Sequence, residues 1–228
     1  MTEEYTITSD SGPVRTIRAN GHGIPIIALD IDGTLGDYHS HFLWFAEKWL
    51  DLRMPDPMEM NPGLPLHVFM GVSHETYREC KLAFRQGGLK RFMPAYPGVD
   101  KLSRSIHDQG AEAWICTTRP YLRLDNIDPD TREWLRRTRV EYDAVLFGEE
   151  KYAELKRQAG DRVAGVIDDL PEQCSKAVDE GFNVAIREQP YNDTWRNPHV
   201  NRVANVSEMI DWSKEMIYKW KVTHDVER

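Results

Sequence analysis

The chain has 228 residues and a formal net charge of −8 at pH 7. This length is enough for one sizeable core with a small accessory domain. The negative charge argues against a surface that binds duplex nucleic acid. Three cysteines, Cys80, Cys116 and Cys174, are scattered without metal-ligand spacing, which is typical of a protein in a reducing compartment.

No apolar run is long enough to cross a membrane, and the polar N-terminus lacks the apolar core of a signal peptide. We therefore expect a soluble, cytoplasmic protein with no membrane partner. Residues 1–22 are polar and contain a turn cluster, which predicts an N-terminal arm or hairpin. The sequence leaves the oligomeric state open, a homo-oligomer included.

The first clear element is a short apolar run, Ile26 to Leu29, which predicts a buried strand. Asp30 and Asp32 follow it, and because alternate residues of a strand share a face, their carboxylates leave the strand end near one point. Gly33 permits a sharp turn that brings backbone N–H groups close to a bound group. Two buried carboxylates require a neutralising cation, and Mg²⁺ prefers such oxygen ligands. The motif therefore predicts a metal that faces a phosphate.

Residues 39–93 are predicted to form a helical, loop-rich insert. Phe42, Phe45, Ala46 and Trp49 recur at helical spacing, and Ser73 is a suitable N-cap for a second helix that ends at Gly87. We interpret this insert as a cap over the site.

After the insert, helices and strands alternate. Strands are predicted at 113–116, 144–147, 163–167 and 183–187, with a last one at 200–206. Helices are predicted between them, including one that opens at Asp128-Pro129 and a closing one capped by Ser207. This alternation predicts an α/β fold with a doubly wound parallel sheet, whose core comprises residues 23–38 and 94–228.

Four predicted strand ends carry or lead to polar side chains. They are Asp30 and Asp32, then Thr117 and Thr118, then Lys151, then Asp168 and Asp169. Because the carboxyl ends of parallel strands meet at one edge of the sheet, these residues describe one site.

The order of these motifs resembles that of the haloacid dehalogenase (HAD) superfamily of phosphotransferases, whose first motif reads DxDGT. A calcium-binding loop also contains DxDG, but it would need further acidic ligands and a late glutamate. The resemblance covers the chain from about Ile24 onward. It implies a HAD-like Rossmannoid core with a small helical cap inserted after the first strand.

A closer resemblance is to the 5'(3')-deoxyribonucleotidases. The first motif reads DIDGTLGDY from Asp30 to Tyr38, and an aromatic-rich helix follows it. The second motif reads Cys-Thr-Thr-Arg-Pro, with Arg119 inserted where that family has CTSP. The spacing from Lys151 to Asp168 is longer than in the family, which leaves Lys156 as an alternative for the motif lysine.

A carboxylate can act as the nucleophile toward a phosphoryl group, giving an aspartyl-phosphate that water hydrolyses. By resemblance, Asp30 is that nucleophile, and Asp32 protonates the leaving alcohol and then activates water. Mg²⁺ would be held by Asp30, the Asp32 carbonyl and Asp168.

Other polar groups receive supporting roles from the same resemblance. Thr117 and Lys151 would bind the phosphoryl group, together with Thr118 and Gly33. Asp169 would orient Lys151 or a metal-bound water.

The expected substrate is a small phosphate ester, a nucleoside monophosphate by resemblance. Two alternative enzymatic functions are that of a polynucleotide end phosphatase, which would need a basic channel, and that of a small-metabolite phosphatase. A regulatory phosphate-binding module is the non-enzymatic alternative.

Tyr38 and Arg119 are candidate substrate contacts. Tyr38 follows Asp32 closely enough to lie near the phosphate and to stack on a nucleobase. The alternative is that Tyr38 packs the insert against the core.

Overall fold

The computed structural model describes residues 23–119 and 124–225. The predicted N-terminal arm, residues 1–22, lies outside them. Within the described residues, no helix is both long and apolar enough to cross a membrane.

Six parallel strands form one sheet in the order β3-β2-β1-β4-β5-β6. They are β1 (Ile26–Leu29), β2 (Glu112–Thr117), β3 (Ala144–Phe147), β4 (Val163–Asp168), β5 (Val184–Arg187) and β6 (Val200–Val203). The strand order reverses between β1 and β4, which is the place where open α/β sheets bind ligands. Leu29 pairs with Ile167 across this junction, and the Asp30 N–H donates to the Ile167 carbonyl at 3.0 Å. This register brings the ends of the two acidic strands together.

Helices cover both faces of the sheet. They are α1 (Tyr38–Leu50), α2 (Leu66–Phe69), α3 (His74–Gln86), α4 (Val99–Asp108), α5 (Ile127–Thr138), α6 (Lys151–Ala159), α7 (Pro171–Asp179) and α8 (Val206–Asp225). The predicted parallel, doubly wound α/β fold is therefore confirmed.

Successive side chains of β1 point to opposite faces of the sheet, and each face packs into its own hydrophobic core. Ile27 and Leu29 pack with apolar residues of α1, α3, α4, α5 and α8 on one face. Ile26 and Ala28 pack with apolar residues of α6 and α7 on the other. Asp30 continues the series of Ile26 and Ala28, so its side chain is directed to the face on which α6 lies.

The segment between β1 and α4 is helical, with α1, α2 and α3 followed by a short 3-10 helix at Leu89–Phe92. Ser73 caps α3 as expected, because its hydroxyl accepts a hydrogen bond from the Thr76 N–H at 3.0 Å. Phe42 of α1 packs edge-on against Phe84 of α3, with ring centroids 5.3 Å apart. The role of residues 39–93 as a cap stays a prediction.

Two predicted helix starts were wrong. Helix α5 begins at Ile127, and the Asn126 carbonyl accepts its first bond from the Asp130 N–H at 2.9 Å. Proline lacks an N–H, so Pro129 fits within the first turn as well as at its start. Helix α8 begins at Val206, one residue before the predicted cap Ser207, and the Asn205 side chain accepts from the Glu208 N–H at 3.1 Å. Strand β6 ends at Val203, before the predicted boundary at residue 206.

Candidate active site

Lys151 joins the first and fourth acidic strand ends. Its Nζ donates to Asp30 Oδ1 and to Asp168 Oδ2, each at 2.6 Å, and to the Cys116 carbonyl at 3.1 Å. Helix α6 begins at Lys151, and this start directs the side chain toward the strand ends. Lys156 lies one turn later with its side chain 41% exposed, outside the acidic cluster. Of the two candidate lysines, the structure therefore brings Lys151 to the site.

The Asp168 carboxylate accepts hydrogen bonds from three donors. Besides Lys151, the Tyr152 hydroxyl donates to its Oδ2 at 2.5 Å, and the Leu170 N–H donates to its Oδ1 at 2.8 Å. Each of these groups fixes the orientation of the carboxylate. Tyr152 is buried and was not among the residues that the sequence singled out. Its position directly after the motif lysine is the only sequence signal that points to it.

Asp169 is held by hydroxyl groups. Thr34 Oγ1 donates to its Oδ1 at 2.9 Å, and the Tyr191 hydroxyl donates to its Oδ2. Asn192 fixes the Asp169 backbone through a 2.8 Å bond to its carbonyl. Of the two roles expected for Asp169, the orientation of Lys151 differs from these contacts, because the lysine is paired with Asp30 and Asp168. The orientation of a metal-bound water stays a prediction.

Gly33 makes the turn after the acid pair, with φ +98°. A Cβ there would overlap the Asp169 carboxylate and the Tyr191 hydroxyl, so the position excludes a side chain on steric as well as conformational grounds. The Gly33 N–H donates to the Gly36 carbonyl at 2.8 Å, and its own carbonyl accepts from Gln189 at 2.6 Å. In this state the N–H expected to face a phosphate is used by the turn.

Asp32 faces two buried cations. Arg119 donates to Asp32 Oδ1 from Nε at 3.2 Å and from Nη2 at 2.5 Å, and Lys90 donates to Oδ2. Arg119 is also held by Thr131 at 3.0 Å. Both cations are only 2% exposed.

The sequence pointed to Arg119 through its insertion in the second motif, but it gave no signal for Lys90. Lys90 lies in the 3-10 helix of the insert, and a single lysine there resembles any solvated one.

The remaining predicted phosphate ligands lie at the end of β2. Thr117 is buried next to Cys116, whose carbonyl contacts Lys151, and Thr118 follows with partial exposure. Their position at the same edge of the sheet agrees with the predicted convergence of the strand ends.

Tyr38 lies in the aromatic contact between α1 and α3. Its ring stacks on Phe42 with centroids 5.7 Å apart and meets Phe84 edge-on at 6.0 Å. Lys90 Nζ lies 4.6 Å from the centroid of the Tyr38 ring. These contacts favour packing over base stacking, although Tyr38 borders the pair formed by Lys90 and Asp32.

Burial and neighbouring charges set the ionisation of the site. Burial, opposed by Lys151 and aided by Asp168, raises the pKa of Asp30 to about 7. Burial followed by Asp168 and Asp30 raises the pKa of Asp169 well above its usual range. The site thus concentrates carboxylates that resist simultaneous ionisation.

The cations beside Asp32 lower its pKa, in contrast to the raised pKa values of Asp30 and Asp169. Burial alone would raise the pKa of Asp32, but Arg119 and Lys90 outweigh it and hold that pKa well below its usual range. Burial lowers the pKa of Lys90 to about 7. The charges of Arg119 and Arg85 add to this decrease, whereas the charge of Asp32 opposes it. Asp32 is therefore ionised in this state.

The residues present fit a hard divalent cation. Asp30, Asp168 and Asp169 each offer one carboxylate oxygen, and these three oxygens lie within 4.8 Å of one another. Four carboxylates at the site (Asp30, Asp32, Asp168 and Asp169) face three cations (Lys90, Arg119 and Lys151). An oxygen donor set with excess negative charge is the environment that Mg²⁺ prefers.

Comparison with known proteins places this geometry in a known fold. No family model matches the chain. A curated relative from Chlorobaculum tepidum, named "Putative 5'(3')-deoxyribonucleotidase", is 24% identical over 198 residues, which is 84% of this chain and 91% of the relative.

Solved structures give the same fold at lower identity. A haloacid dehalogenase-like hydrolase from Streptococcus pneumoniae aligns with a TM-score of 0.59 at 15% identity, over 83% of this chain and 98% of that one. A HAD-superfamily hydrolase of subfamily IA from Geobacter sulfurreducens gives 0.56 at 15%, over 86% and 99%. CbbY from Rhodobacter sphaeroides, solved in complex with phosphate, gives 0.53 at 15%, over 82% and 96%. The chain has the fold of the HAD-superfamily hydrolases, as the motif order predicts.

Proposed function

We propose that this protein is a phosphomonoester hydrolase that depends on a divalent cation and forms an aspartyl-phosphate on Asp30. The observation that carries the proposal is the acidic cluster around Lys151. A buried carboxylate at the switch point of the sheet is paired with a buried lysine and lies within reach of two more carboxylates. This arrangement suits a dianionic phosphoryl group, provided that a cation offsets the repulsion between anions.

Asp30 is the proposed nucleophile. Lys151 occupies Oδ1, so Oδ2 is the oxygen available to attack phosphorus. Attack forms the bond from this oxygen to phosphorus as the bond from phosphorus to the leaving oxygen breaks. Water then hydrolyses the acyl phosphate, which releases phosphate and restores the carboxylate.

Lys151 offsets negative charge on the phosphoryl oxygens, and the Thr117 hydroxyl donates to them from the adjoining strand. Tyr152 and the Leu170 N–H hold Asp168, and through it they hold Lys151 in place.

Asp32 has two proposed roles that need different ionisation states. As found here it is ionised, which is the form that can accept a proton from the attacking water in the second step. As an acid toward the leaving oxygen it must first be protonated, which requires Lys90 and Arg119 to be drawn away. A negatively charged substrate would provide that competition.

The cation would be held by Asp30 and Asp169, with the Asp32 carbonyl and Asp168 as predicted from the resemblance. When bound, Mg²⁺ neutralises the carboxylates and polarises the phosphoryl group.

A nucleoside monophosphate is the proposed substrate. The relative described as a deoxyribonucleotidase supports this class, and its alignment covers most of both chains.

The test is phosphate release from nucleoside monophosphates and small phosphate esters by the wild-type protein and by Asp30→Asn. We expect the variant to lose at least about 10³-fold in kcat, because it removes the nucleophile while keeping the side-chain shape. Asp161→Asn is the matched control, because its side chain is 90% exposed and far from the cluster. An Asp30→Asn variant with near-normal turnover would rule out the assignment.

A trapping experiment addresses the intermediate directly. Wild-type protein quenched during turnover should carry a phosphoryl group that hydroxylamine removes, as expected of an acyl phosphate. The label should be missing from Asp30→Asn. A label that resists hydroxylamine would instead indicate phosphorylation of a hydroxyl.

A further inference from the structure

Two buried cationic side chains share one carboxylate at the edge of the site. Lys90 and Arg119 are each 2% exposed, and both are paired with Asp32. One carboxylate compensates one positive charge, and a buried charge without compensation is costly. Within this set of three side chains, two basic groups therefore share a single acidic partner.

The same region has a surplus of hydrogen-bond donors. The Tyr38 hydroxyl and Arg85 Nε are buried, and neither has a hydrogen-bond partner among the described residues. Tyr38 is 8% exposed, and its ring lies under Lys90 Nζ. Arg85 directly follows Phe84, whose ring meets that of Tyr38 edge-on at 6.0 Å. Buried donors are normally paired with acceptors, and an anion at this place would supply them.

The pair of cations borders solvent at Asp32, whose side chain is 21% exposed. A cleft of about 640 Å³ runs along α3 and reaches Arg85, and its lining mixes the cations Arg78 and Lys81 with the carboxylates Glu75 and Glu79. The cleft is large enough for a small phosphorylated metabolite.

The two sets of cations lie on different sides of the acid pair. Lys151 is paired with Asp30, the proposed nucleophile, and therefore belongs to the phosphoryl side. Lys90 and Arg119 are paired with Asp32, which by its proposed role faces the leaving oxygen. A group bound by this second set would thus belong to the leaving part of the substrate.

We infer that Lys90, Arg119 and Arg85 bind a second anionic group, a phosphate or a carboxylate, on the leaving part of the substrate. This inference rests on the proposed phosphatase chemistry at Asp30, but it changes the substrate: in place of a nucleoside monophosphate it requires an ester whose leaving part carries a second acidic group, such as a nucleoside bisphosphate. Binding of the second anion takes the two cations from Asp32 and gives the Tyr38 hydroxyl and Arg85 Nε an acceptor. Arginine and lysine form their strongest hydrogen bonds with such anions.

Matched pairs of substrates test the inference. Adenosine 3',5'-bisphosphate is compared with adenosine 5'-monophosphate for a second phosphate, and 2-phosphoglycolate with ethyl phosphate for a carboxylate. The readout is the ratio of kcat/KM within each pair, so that effects common to both members cancel. The variants are Lys90→Met, Lys90→Arg and Arg85→Met, with Lys48→Met as the control, because Lys48 is an exposed lysine of α1.

The wild-type protein should favour the doubly anionic member of at least one pair by about tenfold or more, mainly through KM. Lys90→Met and Arg85→Met should each reduce that ratio by about tenfold, Lys90→Arg should retain most of it, and Lys48→Met should leave it unchanged. The pair that responds identifies the second anion as phosphate or carboxylate.

Equal losses on both members of each pair would overturn the inference, because they would place Lys90 and Arg85 on the transferred phosphoryl group or on Asp32 alone. A wild-type protein without preference in either pair would overturn it as well. Calorimetric Kd values for the same pairs with Asp30→Asn give the ratio without turnover. If no ester is hydrolysed, the proposed function fails, and the Kd ratio still decides whether a second anion is bound.

Discussion

Asp30→Asn should make the metal-free protein more stable while it removes activity. Asp30 is buried, and its carboxylate lies within 4.8 Å of ligand oxygens from Asp168 and Asp169. Asparagine keeps the shape and one acceptor oxygen, and Lys151 retains its bond to Asp168. The substitution therefore removes one charge from a crowded set of like charges without opening a cavity.

The magnitude follows from the pKa of Asp30. Burial raises the pKa of Asp30 from 3.8 to about 7. Lys151 opposes this increase, and the charges of Asp168 and Asp32 add to it. Because the pKa of Asp30 is raised in the folded state, the stability that the protonated Asp30 contributes is fully present below about pH 4 and is lost as the pH rises to about 7. The full loss at pH 8 is about 4 kcal/mol at most. The variant forgoes the ion pair with Lys151, so we expect it to be about 1–3 kcal/mol more stable than the wild type there.

Urea unfolding in EDTA at pH 4, 6 and 8 measures this difference. The difference should be small at pH 4 and grow to its full value at pH 8. Saturating Mg²⁺ should reverse the order, because the cation stabilises only the protein that binds it well. A variant less stable than the wild type at pH 8 in EDTA would refute the reasoning, since it would mean that the ion pair with Lys151 outweighs the crowding.

Three further predictions concern the metal, the core and a histidine. Phosphatase activity should disappear in EDTA and return with Mg²⁺; full activity in chelator, or recovery with Zn²⁺ alone, would contradict the oxygen site. Gly165→Ala should cost about 1–3 kcal/mol in urea unfolding, because its Cβ would lie 2.5 Å from the Trp212 ring, and shortening that ring with Trp212→Phe in the same chain should recover part of the loss. The hydrogen bond from His107 to Asp143, 2.8 Å long, raises the pKa of the histidine, so this stabilisation should be present below about pH 6.5 and fade above it. His107→Gln should therefore destabilise more at pH 5.5 than at pH 8.5, and an equal effect at both would exclude a role for the charge.

The parts of the structure that repeat along the chain could be predicted from sequence. Strands β1 and β3 have the predicted bounds, and the alternation of strands and helices fixed the parallel sheet. The hydrophobic period is a local property, and parallel strands joined by helices have few alternative arrangements. The same reasoning predicted that Asp30, Lys151 and Asp168 lie at one edge of the sheet, because each lies at or shortly after the carboxyl end of a strand.

The pairing of charges within the site was decided only by the tertiary structure. The sequence does not show that Lys151 forms its ion pair with Asp168 and not with Asp169. The two residues are adjacent and of the same type, so they differ only in the direction of their side chains. Lys90 had no sequence signal, since its burial results from the way the insert packs on the strand ends. The local sequence pattern thus determined where the carboxylates are. Long-range packing decided which cations reach them, because Lys90, Arg119 and Lys151 are all distant along the chain from the carboxylates that they contact.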